Sequence, residues 1–117
     1  MRVTSELWVS ALTRRVFSGG GFAAILKRGA AEAGAVFILS RNRLGEVDLF
    51  GPASQAAYDS SRPADRQFAM LMAAADADAV EARLEKEKRF DPDIWVVEVE
   101  AEQPAMSELI SLEQPSP

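Results

Sequence analysis

The sequence predicts an α+β fold: a single antiparallel or mixed sheet of about five strands with two main helices, in the order α-β-β-β-β-α-β. Three observations point to it. Helix-spaced apolar residues with caps and stops occur near the N-terminus and again after Asp76. Short runs rich in β-branched and aromatic residues lie between and after them. Regular strand–helix–strand alternation is missing, which argues against a doubly wound parallel sheet.

Residues 4–18 read as the first helix. Thr4 or Ser5 can cap it, Glu6 sits in the first turn, and Arg14 and Arg15 sit near its negative end. Trp8, Leu12 and Val16 form the apolar stripe, and Gly19-Gly20-Gly21 ends the helix. Leu7, Val9 and Ala11 also alternate like a strand, but the caps decide for a helix. Residues 22–28 and 35–41 are strands apolar on both faces, as covered central strands are. The loop between them, bounded by Gly29 and Gly34, has hairpin length. After the turn at Asn42–Gly45, residues 46–50 alternate polar and apolar. The expectation is a three-stranded antiparallel meander of 22–28, 35–41 and 46–50.

Residues 51–66 form a long polar connection rich in Pro, Ser and Asp, and residues 67–73 a fourth strand. Asp76 or Asp78 caps the second helix, which runs to about Arg89 with Ala77, Val80 and Leu84 inward. Asp78 and Glu81 have capping-box spacing, and Glu85 and Arg89 suit an i,i+4 ion pair. Asp91-Pro92-Asp93 is a turn, and Ile94–Glu100 the clearest strand. Residues 1–103 are expected to be a single domain. In the tail, 104–117, Met106, Leu109, Ile110 and Leu112 could form a short docking helix.

Composition excludes more chemistry than it suggests. The 117 residues include no cysteine and no histidine. That removes thiolate nucleophiles, the commonest general base and the usual zinc ligands. No serine stands in Gly-x-Ser-x-Gly or in Ser-x-x-Lys, and Gly19–Gly21 lacks the lysine and the strand-to-helix setting of a phosphate loop. No catalytic residue and no cofactor is expected. The N-terminus lacks the pattern of a secretory signal, and no apolar run approaches membrane-spanning length, so a cytoplasmic protein without membrane partners is expected. Residues 1–66 carry nine Lys/Arg against six Asp/Glu, and residues 67–117 four against twelve. The net charge of −5 makes nucleic acid an unfavoured partner.

Two groups of residues can carry a site. Arg14 and Arg15 at the end of the first helix, with Arg41 and Arg43 at the end of the second strand, would share one end of the sheet and could bind an anion. Asp91 and Asp93 are the metal candidates, although their turn calls for aspartate anyway.

Three segments together resemble a small bacterial family known as domain of unknown function 1491. They are Leu7-Trp8-Val9-Ser10-Ala11-Leu12-Thr13-Arg14-Arg15, then Arg28-Gly29 with Ala33-Gly34-Ala35-Val36, and then Arg89-Phe90-Asp91-Pro92-Asp93-Ile94-Trp95-Val96-Val97-Glu98-Val99-Glu100. The resemblance covers about residues 4–100. It implies one domain and no particular activity. The family pattern has an aspartate after the Arg-Gly, where this chain has Ala30. The leading functional expectation is a non-catalytic binding or protein-interaction module, acting on an unknown protein partner or on itself. The alternatives are anion or nucleic-acid binding at the basic edge, and a carboxylate/divalent-metal enzyme at Asp91 and Asp93.

Overall fold

The computed structural model describes residues 3–53, 66–101 and 106–112. In chain order they form α1 (Ser5–Ser18), β1 (Phe22–Lys27), β2 (Val36–Arg41), β3 (Val47–Pro52), β4 (Gln67–Ala75), α2 (Ala77–Phe90), β5 (Trp95–Glu100), α3 (Met106–Leu109) and β6 (Ser111–Leu112). The fold is α+β. Its six strands make one mixed sheet in the order β1-β5-β2-β3-β4-β6. The pairs β1–β5, β2–β3 and β3–β4 are antiparallel, while β2–β5 and β4–β6 are parallel.

Thr4 is the N-cap of α1 and accepts from the Leu7 amide at 3.2 Å. Ser5 is thereby left for tertiary work. The buried stripe is Val9, Leu12 and Val16, with Trp8 half-buried beside the Phe68 ring at 5.2 Å. Gly20 ends the helix in a left-handed conformation, φ 89°, which glycine adopts cheaply.

α1 packs on one sheet face, over Ala23, Val36, Ile38, Phe50, Trp95, Val97 and Val99. The other face carries Phe37, Leu39, Val47, Leu49 and Val96, closed by Val80 and Leu84 of α2. β2 and β5 bury side chains on both faces, as central strands do. Asp76 is the N-cap of α2 and makes no side-chain cap bond; Asp78, expected to form a capping box with Glu81, lies inside the first turn instead. Glu85 pairs with Lys88 rather than Arg89, and Arg83 pairs with Glu87.

The expected meander is shifted by one strand. Residues 22–28 and 35–41 do not pair as a hairpin; β5 lies between them, and the antiparallel meander is β2-β3-β4. The reason is the loop joining β1 to β2. It crosses the start of β5 instead of turning back beside β1: Ala30 N donates to Asp93 O at 2.9 Å, and Trp95 N donates to Ala35 O at 2.8 Å. A loop of hairpin length therefore spans a gap of two strand spacings.

β3 and β4 are held in register through an irregularity. Ala74 takes a positive φ of 45°, and its amide donates to the Asp48 carboxylate at 2.7 Å. Of the polar connection at 51–66, residues 54–65 lie outside the described residues; its two ends are joined by Ala53 N donating to Gln67 O at 2.9 Å. Residues 106–112 return to the sheet, burying Leu109 and Ile110 in the α1-side core and pairing β6 with β4. No helix among the described residues is long and apolar enough to cross a membrane.

Two glycine substitutions separate crowding from backbone strain. A Cβ on Gly29 would strike the Asp93 carbonyl oxygen and lie 2.6 Å from the Ile94 carbonyl carbon, both of them backbone. Gly45 has φ 82° but open space around it. Gly29→Ala is expected to cost about 3 kcal/mol or more, and Gly45→Ala about 1–2 kcal/mol, read from urea unfolding midpoints.

Candidate functional site

The start of β1 and the end of β2 remain at the same end of the sheet, because β5 runs antiparallel to one and parallel to the other. The Gly19–Gly21 turn therefore faces Arg41 and Arg43 across the end of β5. An open cleft of about 650 Å³ lies between them, with Glu100 also in its wall. Of the four arginines that sequence spacing places at this end, the cleft receives Arg41 and Arg43. Arg15 reaches instead to the carbonyls of Glu108 and Leu109 at the end of α3, at 3.0 and 3.4 Å. Arg14 is exposed on α1 and does not line the cleft.

The electrostatics of the cleft are mixed. Arg41 is bound to Glu98 at 3.2 Å, and Glu98 is mostly buried. The amides of Gly19, Gly20 and Gly21 donate to the carbonyls of Arg15, Phe17 and Val16, so they point into the helix terminus rather than the cleft. An anion there would meet two guanidinium groups and one carboxylate, and would have to compete with Glu98 for Arg41.

Asp91 and Asp93 do the work of their turn. The Asp91 carboxylate accepts from the Asp93 amide at 3.0 Å, and the Asp93 carbonyl accepts from Ala30. Among the described residues, no group of three or more acidic side chains is placed to hold a metal ion.

A denser set of contacts ties the β1–β2 loop to the start of β5 and to α1. The Trp95 indole donates to Ala30 O at 2.8 Å. The Arg28 guanidinium lies over the Trp95 ring, 5.0 Å from its centroid, and pairs with Glu6 at 2.9 Å. Lys27 donates to the carbonyls of Pro92 and Ile94 at 2.6 and 2.9 Å. The buried Ser5 hydroxyl donates to Gly34 O at 2.5 Å and accepts from Arg66 at 3.0 Å. The amides of Ser5 and Glu6 donate to Glu32 O and Ala31 O.

The remaining feature was not visible in the sequence. Among the described residues β1 is an edge strand, paired on one side only. Phe22, Ile25 and Leu26 are 51%, 37% and 55% exposed, and Phe17 at 52% stands edge-on to Phe22 at 5.9 Å. A strand apolar on both faces reads as central in a sequence. No local signal marked this one as an edge, since its neighbours are chosen by β5, some seventy residues away.

Comparison with known proteins places the chain. A sequence model of the family described as "Protein of unknown function (DUF1491)" matches residues 3–107. The chain belongs to this family. A DUF1491 protein from Caulobacter crescentus, solved by crystallography, is 31% identical over 97% of this chain and 100% of its own, with a TM-score of 0.77. An NMR structure of a DUF1491 protein from the same bacterium gives 31% identity, 97% and 99% coverage and a TM-score of 0.76. A protein from A. tumefaciens, solved in solution, is 45% identical over the full length of both chains, with a TM-score of 0.82. No curated protein matches. Two of the three segments that carry the DUF1491 resemblance meet at the loop-to-β5 contacts: Arg28-Gly29, Gly34-Ala35 and Asp91–Trp95 all lie there. The last of these segments also runs on to Glu98, the partner of Arg41, and to Glu100 in the cleft wall.

Substitutions at the loop-to-β5 contacts should rank by burial. Trp95→Phe removes the donor to a part-buried carbonyl and is expected to cost about 1–2 kcal/mol. Arg28→Gln breaks a largely exposed ion pair and a ring contact, and about 0.5–1 kcal/mol is expected. Thermal and urea unfolding of both variants check the order.

Proposed function

We propose that this chain is a non-catalytic interaction module that works by pairing its β1 edge with another extended strand. The observation that carries the reading is the exposed apolar edge formed by Phe22, Ile25 and Leu26 with Phe17 beside it. Native edges are usually blunted by lysine, proline or a covering element. β1 contains no proline, and its lysine is turned back onto the Pro92 and Ile94 carbonyls. Its irregularity falls late, between Ile25 and Lys27, leaving residues 22–25 in regular register. Such an edge offers backbone donors and acceptors for affinity and alternate side chains for selectivity. A cysteine-free chain suits a reducing compartment, and the cytoplasm is the proposed location.

A second reading, anion binding at Arg41 and Arg43, is favoured by the cleft alone. Its signature would be phosphate binding that weakens with salt and is lost in Arg41→Glu but kept in Arg14→Glu, measured by calorimetric titration.

The strand-pairing reading is checked by panning a random peptide library against the immobilised protein. Extended peptides with alternating apolar residues are expected, and Leu26→Lys should weaken them at least tenfold. Selected peptides that bind wild type and Leu26→Lys equally would refute it.

A further inference from the structure

We infer that the strand taken up by the β1 edge is β1 of a second copy of this chain, so that two sheets join across a two-fold axis; this rests on the reading of β1 as an interaction edge. In an antiparallel pair directly opposed residues share a face, so a two-fold axis can centre only on residues of matching position. Centred on Ala24, the pairing brings Phe22 of each copy toward Leu26 of the other on the α2 face, at the bulge that lies between Ile25 and Lys27. On the α1 face it sets Ala23 opposite Ile25. The two most exposed apolar side chains of the strand thus cover each other, and small residues meet larger ones.

The surroundings of the edge fit a copy of itself. Lys27 is the only charged residue of β1, and it is engaged with its own chain's carbonyls. On α1, Glu6 reaches Arg28 just beyond one end of β1, and Phe17 reaches Phe22 at the other. The residues on that helix stripe between them are Ser10, Thr13 and the exposed Arg14. Within β1 itself no like charges face each other, because the same register sets Lys27 opposite Gly21. The opposite edge of the sheet, β6, has two residues and could not supply an equivalent surface.

Area sets the strength. Taking ~200 Å² for a large side chain, Phe17, Phe22, Ile25 and Leu26 expose on the order of 400 Å² per copy. That matches the largest apolar patch of an ordinary monomer, which is often functional, but is below the ~800 Å² per partner of a standard interface. The dimer should therefore be weak and concentration-dependent, in the micromolar range. Each copy carries −5, so added salt should tighten it by screening repulsion. Anion binding at arginine has the opposite salt dependence.

Sedimentation velocity on the full chain is the test, over micromolar to millimolar concentration at low and high salt. The weight-average mass is expected to rise from 12.7 kDa toward twice that value, more steeply at high salt. Phe22→Lys and Leu26→Lys should shift the midpoint at least tenfold to higher concentration. Leu44→Lys, which changes an 83% exposed residue in the β2–β3 turn, should not shift it. Circular dichroism confirms that each variant is folded. Because the chain has no cysteine, Ala24→Cys adds a single thiol that should oxidise to a covalent dimer, whereas Leu44→Cys should not. A wild-type chain that stays at 12.7 kDa throughout overturns the inference, as does a dimer indifferent to the lysine variants. If the chain stays monomeric but the library peptides still bind through β1, the second-copy inference fails and the interaction reading stands. If neither is seen, both fail.

Discussion

The fold depends on how the loop between β1 and β2 grips the start of β5. Gly29 and Gly34 bring the loop backbone against the Asp93 carbonyl so closely that neither position has room for a Cβ. Three backbone and indole hydrogen bonds then tie Ala30 and Ala35 to Asp93 and Trp95. With that grip in place, the chain cannot close a β1–β2 hairpin, and the space between the two strands is filled by β5. The contact unites residues that are sixty or more positions apart. Its closure is a non-local step whose entropic cost is met only when the whole sheet assembles.

Placing β5 in the middle has two consequences. It gives β2 a parallel neighbour, which requires the long crossover through β3, β4 and α2 that the chain makes. It also sends β1 to the rim. α2 packs closest to β3 and β4, closes the face over β2 and β5 with Val80 and Leu84, and meets Leu26 of β1 only across an open cleft, so the α2 face of β1 stays largely exposed. The apolar exposure of Phe22 and Leu26 is thus a result of strand order, not of local composition. Meanwhile the charged residues near β1, Lys27 and Arg28, are drawn inward to satisfy carbonyls and cover Trp95. The side chains that could have guarded the edge are used to hold the loop.

The basic end of the sheet shows how a correct placement can still yield a different chemistry. Arg41 and Arg43 lie beside the glycine turn as strand direction requires. Arg41 is nevertheless paired with Glu98, and Arg15 is spent on the last carbonyls of α3, where a cation meets the negative end of a helix. The Arg41–Glu98 pair joins the basic N-terminal half of the chain to its acidic C-terminal half.

By itself the sequence determined the element types and nearly all their positions. Caps, glycine stops and apolar periodicity are local signals, and Thr4, Gly20, Asp91 and the Ile94–Val99 run act locally. It also determined, by lacking histidine and cysteine, which chemistry the chain cannot perform. Only the tertiary structure decided which strands are neighbours, which apolar strand is buried and which is an edge, and which arginines meet. A strand apolar on both faces carries no mark of its partner. The partner is selected by long-range contacts such as Ala30 with Asp93 and Trp95 with Ala35, whose energy exists only once distant segments have met.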